Sequence, residues 1–175
     1  MMRFSPPVPI SAQLDVGAFS CGDPALDGWL RERAGDAETR TAKTFVLLTD
    51  KRVIGFYTVA VGSVLLPMID SDLPNPVPAM ILGLLAVDQA YQRQGLGAAL
   101  LYDALLRILN VRRGLDIRLV VAWPITQPLR RFFTHYGFET IPTLPHAHFL
   151  PIDTLIKAAS GGAENRRAPR NTGLD

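Results

Sequence analysis

The sequence is poor in cysteine and has no long apolar run. Its 175 residues include a single cysteine, Cys21, which excludes an intrachain disulfide and a cysteine-rich zinc site. No apolar stretch reaches the ~18 residues that a membrane-spanning helix needs. The first fifteen residues also have no continuous apolar segment of the kind found in secretion signals. We therefore expect a cytoplasmic protein with no membrane partner.

An excess of charge of one sign is also missing. Eighteen Lys and Arg residues nearly balance sixteen Asp and Glu residues and leave a formal net charge of +2, which is too small to indicate a nucleic-acid partner. Hydrophobic residues make up 48% of the chain, enough to form a buried core and to exclude disorder throughout. The length fits one domain. We predict that this domain spans residues 1–157 and that a flexible tail follows over 158–175.

Apolar periodicity predicts the order of helices and strands. An opening hairpin is followed by strands that alternate with helices, which indicates a mixed α/β sheet. Asp23 followed by Pro24 is typical of a helix N-terminus. The predicted helices are 24–33, 96–111 and 128–136, and the predicted strands are 44–48, 53–61, 79–87, 117–122, 138–141 and 147–152.

Three segments carry further local signals. Four prolines between residues 67 and 78 predict an extended connection, because central strands do not tolerate proline. Gly83, inside the apolar run 79–87, predicts a β-bulge or the close approach of another backbone. The polar segment 35–42 predicts a second short helix or a loop.

The segment most informative about chemistry links the apolar strand 79–87 to the long helix. Gly95 and Gly97 open that helix, whose first N–H groups have no intrahelical partner and carry the positive end of the helix dipole. Such a turn can bind a phosphate or diphosphate. It is not a P-loop, since Ala98 stands where lysine is needed, and it lacks the third glycine of the dinucleotide fingerprint. Spacing alone leaves open that the glycines only shape the start of the helix.

Two motifs together resemble the GNAT N-acetyltransferase superfamily. Its signature Gln/Arg-x-x-Gly-x-Gly/Ala is met by Gln92, Gly95 and Gly97. A later stretch, RFFTHYGF over 131–138, resembles the superfamily segment Phe-Tyr-x-x-x-Gly-Phe. The resemblance covers about residues 20–155. It implies a fold of the α/β (α+β) class: a mixed, mostly antiparallel twisted sheet with helices on both faces and a V-shaped splay between the central strands.

The resemblance also implies acetyl-CoA as the acetyl donor. Backbone N–H groups of the glycine turn would hold the diphosphate, and the N–H of Val87 would polarise the thioester carbonyl. We predict no metal site, because His146 and His148 have no identifiable third ligand. The residues expected to bind acetyl-CoA are Leu85, Ala86, Val87, Gln92, Arg93, Gln94, Gly95, Leu96, Gly97, Ala98, Arg131 and Phe132.

Several shorter segments are similar to the acetyltransferase toxins of bacterial toxin–antitoxin pairs; they lie at 21–30, 43–46, 55–57, 62–64 and 85–88. Those enzymes acetylate the α-amine of aminoacyl-tRNA and block translation. The resemblance therefore implies an aminoacyl-tRNA substrate, a small ribbon-helix-helix antitoxin and a homodimer. The residues expected to meet tRNA are Arg31, Arg33, Arg40 and Lys43, although each also fits an ordinary solvated surface. Acetylation of a small amine or a protein N-terminus, or a non-catalytic binding module, stays open.

Position 133 departs from the family's pattern. The resemblance implies a general-acid tyrosine four residues before Gly137, where this chain has Phe133, which has no hydroxyl to protonate a departing thiolate. Three interpretations stay open: an introduced Tyr-to-Phe change, a natural enzyme whose leaving group takes its proton from water or another residue, and a non-catalytic binder. Tyr136 is a candidate substitute, but packing at the helix end is the simpler interpretation.

Overall fold

The structure, a computed structural model, describes residues 4–34, 42–65, 73–141 and 144–164. These residues form a seven-stranded sheet with helices packed against it. The strands are β1 (Val8–Pro9), β2 (Lys43–Thr49), β3 (Arg52–Val64), β4 (Val77–Val87), β5 (Leu119–Ala122), β6 (Glu139–Ile141) and β7 (Leu144–Pro151). The α-helices are α1 (Pro24–Ala34), α2 (Leu96–Val111), α3 (Gln127–His135) and α4 (Ile152–Glu164), and 3-10 helices span Gln89–Tyr91 and Arg112–Gly114.

The order of the strands in the sheet is β1-β2-β3-β4-β5-β7-β6. Of the paired strands, β4 and β5 run parallel, whereas the other pairs are antiparallel. The predicted mixed, mostly antiparallel sheet is therefore confirmed. The predicted opening hairpin is also present: β2 and β3 pair from Thr49 and Arg52 onward, with Asp50 and Lys51 forming the turn.

Helices cover both faces of the sheet, as predicted. On one face, Leu100 of α2, Phe133 of α3 and Ile152 of α4 belong to the same buried cluster. On the other face, Leu30 of α1 packs in a separate cluster with Phe56 of β3. Each fully buried side chain of this size contributes roughly 1.5–3 kcal/mol to folding. Within the described ranges, no helix is long and apolar enough to cross a membrane.

The two parallel strands separate at one end, which gives the predicted V-shaped splay. Pairing between β4 and β5 runs from Ala79 with Leu119 to Leu82 with Ala122. There β5 ends, while β4 continues to Val87. The last part of β4 is therefore paired to β3 on one side and has a free edge on the other.

Gly83 lies at a β-bulge in β4, as the sequence predicted, whereas the close approach at this residue is made by the Thr58 side chain and not by another backbone. The register of β3 and β4 shifts beside Thr58, so that two residues of β4 lie opposite this one residue of β3. The N–H of Leu84 donates to the Thr58 hydroxyl oxygen at 2.9 Å. A Cβ at Gly83 would lie only 2.7 Å from the same oxygen, which a larger residue could not avoid.

Helix α4 was not predicted and corrects two expectations. The sequence indicated a strand through residue 152 and a tail from 158, but the helix runs from Ile152 to Glu164. Ile152 is buried in the core, and Leu155 and Ile156 pack against it. This tertiary contact stabilises a helix whose small and glycine residues gave no clear local signal. The predicted flexible tail therefore cannot begin at 158, and residues 165–175 lie outside the described part.

The proline-rich connection is shorter than expected, because β4 already begins at Val77 and includes Pro78. Proline is tolerated near the start of this strand since it still offers a carbonyl, and the Pro78 carbonyl accepts the N–H of Arg118 at 2.9 Å. The predicted helix or loop at 35–42 lies outside the described residues except for its last position.

A buried polar contact fixes α2 against the sheet. The hydroxyl of Tyr57 on β3 donates to Asp103 on α2, and burial raises the pKa of Tyr57 far above its usual value. Arg107 donates to Asp103 at 2.7 Å and to the carbonyl of Pro7 at 2.7 Å. The helix that begins at the glycine turn is therefore tied both to β3 and to the N-terminal segment.

Candidate active site

A cleft of about 700 Å³ opens where β4 and β5 diverge. One wall is the free end of β4 with the turn that leads into α2, and the other is the start and outer face of α3. The segment before α1 and the first turn of α1 also contribute to the lining. The lining residues are Cys21, Gly22, Asp23, Leu26, Leu85, Ala86, Val87, Tyr91, Gln92, Arg93, Gly95, Leu96, Gly97, Ala98, Ile125, Thr126, Pro128, Leu129, Phe132 and Tyr136.

The free edge of β4 presents main-chain donors to this cleft. Asp88 donates its N–H to Ile54 of β3 at 2.9 Å. Because alternate residues of an antiparallel strand point to opposite sides, Val87 and Leu85 direct their N–H and C=O groups away from β3, toward the edge that β5 has left. These groups can pair with an extended ligand in the way that a neighbouring strand would.

The turn before α2 is shaped as an anion cradle. Arg93 and Gly95 both have positive φ angles, 60° and 79°, and such left-handed residues turn successive N–H groups toward one point. Gly95 is the N-cap of α2 and has no side chain to cap the helix, so the first N–H groups of the helix have no intrahelical partner. These first residues line the cleft. The dipole of a 16-residue helix adds positive potential at this end.

The side chain of Gln92 holds this turn against its surroundings. Its Nε2 donates to the carbonyl of Val87 at 2.8 Å and to the carbonyl of Cys21 at 3.0 Å. The amide therefore joins the end of β4 to the segment before α1. Gln92 was predicted to bind acetyl-CoA, and it does line the cleft. Its N–H donors, however, bind the two main-chain carbonyls and not the space of the cleft.

A buried carboxylate orders the 3-10 helix that precedes the cradle. Asp88 is 3% exposed. It accepts the N–H of Ala90 at 3.0 Å, the N–H of Ser20 at 3.1 Å and the guanidinium of Arg52 at 3.2 Å. Arg52 also lies over the ring of Tyr91, 5.9 Å from its centroid. The sequence gave no signal for this arrangement, because its members are far apart in the chain.

One side of α3 forms the second wall of the cleft. Leu129, Phe132 and Tyr136 follow one another at three- and four-residue spacing and all line the cleft. Phe132 faces the cradle, since a Cβ at Gly97 would lie 3.7 Å from its ring. Tyr136 is 41% exposed, and it also packs at the end of the helix against Phe132.

Phe133 is the residue of α3 that is buried beneath the helix, in the same cluster as Val87 of β4. It is 3% exposed, and its ring packs edge-on against Phe132 and Phe138 at centroid distances of 5.5 and 5.0 Å. It belongs to the core and is not among the residues that line the cleft. The role of general-acid position stays a prediction for this residue.

The structure brings most of the predicted acetyl-CoA residues together. Ten of the twelve line the cleft, whereas Gln94 and Arg131 are exposed beside it. The sequence marked residues 21–30 only by their similarity to the toxins, and it gave no signal that they, or the β5–α3 loop, line the cleft. Within the N-terminal segment, burial raises the pKa of the Cys21 thiol to about 11, so this thiol is not a nucleophile near neutral pH.

The three predicted tRNA-contact residues that the structure describes do not form one patch. Arg31 and Arg33 lie on α1, where Arg31 donates to the carbonyl of Phe19 at 3.1 Å and Arg33 lies over the Trp29 ring. Lys43 lines a groove with side chains of the opposite face of the sheet. Arg40 lies outside the described residues.

Metal-ligating side chains are not grouped in the described part of the chain: no three His, Cys, Asp or Glu residues there lie close enough to hold an ion. The guanidinium of Arg130 donates to Nδ1 of His146 at 3.3 Å. His148 is 1% exposed, and its pKa is lowered by burial and by the charge of Arg130.

The sheet, its divergent strands and the cleft define an α/β protein that can hold an extended ligand with an anionic centre. A family model described as an acetyltransferase (GNAT) domain matches residues 40–140. A tRNA-acetylating toxin of Mycobacterium tuberculosis is 37% identical over 150 residues, which cover 83% of this chain and 90% of the relative. The chain therefore belongs to the GNAT acetyltransferase family and is an acetyl-CoA-dependent acyltransferase.

Solved structures share the fold. AtaT complexed with acetyl-methionyl-tRNAfMet matches with a TM-score of 0.80 and 20% identity, over 90% of this chain and 99% of that one. A tyrosine-to-phenylalanine mutant of the AtaT toxin, bound to the C-terminus of the antitoxin AtaR and acetyl-CoA, matches with a TM-score of 0.73 and 21% identity, over 90% and 99% of the two chains.

Proposed function

We propose that this protein is a toxin-type N-acetyltransferase that moves an acetyl group from acetyl-CoA to the α-amine of aminoacyl-tRNA and so blocks translation in the cytoplasm. The observation that carries the donor side is the cleft in which an anion cradle and the free edge of β4 face the same space. The acceptor is supported by the 37% identity to a tRNA-acetylating toxin over most of the chain.

Acetyl-CoA supplies an activated acetyl thioester. In the proposed arrangement, the N–H groups from Arg93 to Ala98 hold the diphosphate, because they lie at the N-terminus of α2. The N–H of Val87 donates to the thioester carbonyl oxygen, where negative charge develops during attack. The edge of β4 at Leu85 aligns the pantetheine. These groups are main-chain donors, so the site is fixed before the ligand binds.

The proposed acceptor needs little help from a base. An α-amino group has a reference pKa of about 7.7–8.0, and esterification of the neighbouring carboxylate removes a negative charge and lowers the pKa further. Much of the amine is then neutral near pH 7. The main task of the site is to place this amine against the thioester carbon.

Because residue 133 is phenylalanine, protonation of the departing thiolate is the step that we expect to be slow. A hydroxyl at this position would supply the departing sulfur with a proton, and phenylalanine cannot do so. A thiol with a pKa of about 8.5 is a fairly good leaving group, so transfer continues with water as the proton source. We therefore propose a working but slowed enzyme.

A small antitoxin with a ribbon-helix-helix domain is the proposed partner, and a homodimer the proposed assembly. The AtaT mutant bound to part of its antitoxin supports the first proposal, because that protein shares this fold. Co-purification with the product of the neighbouring small reading frame tests the antitoxin, and light scattering of the purified chain tests the dimer.

The deciding experiment offers labelled acetyl-CoA together with four acceptors: charged tRNA, the same tRNA after deacylation, peptides with free N-termini, and small amines. We expect label on charged tRNA alone, with the label lost on mild alkaline release of the amino acid. Label on peptides or small amines would favour those substrates instead. No transfer to any acceptor, by either the wild type or Phe133→Tyr, would reject the proposed function.

A further inference from the structure

The structure assigns Tyr136 as the platform on which the adenine base of acetyl-CoA stacks. This inference rests on the proposed donor site and adds a residue that the family motifs do not specify. Tyr136 is an aromatic side chain at the C-terminal end of α3 that lines the cleft while keeping 41% of its surface exposed. An aromatic face held open beside an anion cradle is suited to a nucleobase.

The order of groups along α3 places Tyr136 at one end of the cleft. Thr126, at the start of the helix, lies just beyond the point where β5 leaves β4. Phe132 follows about 9 Å further along the axis, at 1.5 Å per residue, and faces Gly97 of the cradle. Tyr136 lies about 6 Å beyond Phe132. Going along α3 from its N-terminus, the helix therefore passes first the divergent strands and then the cradle, and it ends at Tyr136.

The thioester, the diphosphate and the adenosine of acetyl-CoA follow one another in the same order. Its thioester belongs at the free edge of β4 and its diphosphate at the cradle, so its adenosine must emerge on the far side of the cradle. That is the side of Tyr136.

The ring of Tyr136 is also held in place before any ligand binds. It packs edge-on against Phe132 with a centroid distance of 5.0 Å and against His135 at 4.9 Å. Two aromatic neighbours restrict its rotation, so stacking of a base costs little further ordering. The planar face, and not the hydroxyl, carries the proposed interaction.

The test compares two ligands, of which only one carries the adenine nucleotide. Acetyl-CoA and S-acetyl-4′-phosphopantetheine are titrated by calorimetry into the wild type, Tyr136→Phe, Tyr136→Leu and Tyr136→Ala. We expect about tenfold weaker acetyl-CoA binding with Leu or Ala, near wild-type binding with Phe, and no change for the phosphopantetheine ligand. Tyr102→Ala removes an exposed tyrosine from α2, outside the cleft, and should change neither affinity.

The alternatives give different results. Equal loss for both ligands would mean that Tyr136 only maintains the shape of the cleft, and unchanged acetyl-CoA binding in Tyr136→Ala would also overturn the inference. A general-acid role would instead lower kcat in Tyr136→Phe with an unchanged KM for acetyl-CoA. If the wild type binds no acetyl-CoA, the proposed donor site itself fails, which is a separate outcome.

Discussion

The side-chain amide of Gln92 donates to the main-chain carbonyl of Val87 across the turn that follows β4, at 2.8 Å. Val87 presents its N–H on the same side as this carbonyl, since both groups of a strand residue point to one edge. Gln92 thus holds the carbonyl of the residue whose N–H is proposed to meet the thioester. The signature glutamine positions the site through the backbone of β4.

Replacing Gln92 with Glu should weaken acetyl-CoA binding and stability together. A carboxylate would face the carbonyl oxygens of Val87 and Cys21 with no donor, so we expect a loss of about 1–3 kcal/mol in unfolding free energy and a higher KM for acetyl-CoA. Urea unfolding and steady-state kinetics measure the two effects. Gln13→Glu is the matched control, because that side chain is exposed and lies outside the cleft. Equal effects of both changes would refute the positioning role.

Gly95→Ala should impair the cradle more than it impairs the fold. The φ angle of 79° costs an L-residue roughly 1–2 kcal/mol, and relief of that strain would turn N–H groups away from the diphosphate. We expect about tenfold weaker acetyl-CoA binding, equal to about 1.4 kcal/mol. Gly28→Ala, within α1 and with nothing near its added Cβ, should instead raise stability by about 0.5–1 kcal/mol. An unaffected affinity in Gly95→Ala would exclude the turn as the diphosphate site.

Asp88→Asn should destabilise the protein by about 2 kcal/mol, because a buried charge that accepts bonds from Arg52 and Ser20 is lost. Asp116→Asn makes the same change in an exposed ion pair with Arg118, where an effect below about 0.5 kcal/mol is expected. Chemical unfolding of the two variants at neutral pH gives the comparison. Similar small losses would show that the buried carboxylate is replaceable by an amide.

His148 should make the protein less stable in acid. It is buried, its Nδ1 has no hydrogen-bond partner among the residues that the structure describes, and its pKa is lowered by burial and by Arg130. The unfolded chain therefore binds a proton more readily than the folded one, and stability falls as pH drops below the unfolded value of about 6.5.

The check compares unfolding free energies at pH 7.5 and 5.5. The wild type should lose more stability on acidification than His148→Gln, which cannot titrate. His135→Gln, at an exposed position, should keep the wild-type dependence on pH. If His148→Gln and the wild type lose the same amount, another group causes the acid sensitivity.

Phe133→Tyr should raise the rate of acetyl transfer. A hydroxyl that protonates the departing sulfur contributes about 10²-fold or more, so kcat should rise by at least about tenfold with little change in the KM for acetyl-CoA. Phe138→Tyr adds a hydroxyl to the neighbouring core ring and should give no gain. A lower melting temperature without faster transfer would show that the ring at 133 only fills the core.

The local patterns predicted most of the elements that frame the cleft. The apolar run of β4, the two glycines and the periodicity of α2 are contiguous in the chain, so the turn that forms the cradle could be placed from residues 79–111 alone. The glycine at position 83 indicated the bulge in β4, because a Cβ there would lie too close to the Thr58 hydroxyl. By contrast, the stability of α4 depends on the burial of Ile152 in the core, and no local sequence pattern predicted that contact.

The amino-acid sequence by itself determined the class of fold and the position of the anion cradle, because helix starts, strand periods and glycine turns are set by neighbouring residues. Only the tertiary structure decided which side chains share the cleft. It turned Phe133 into the core and Tyr136 toward the cleft, and it placed Lys43 on the face opposite α1. Those directions follow from sheet register and helix packing, which join residues distant in the chain.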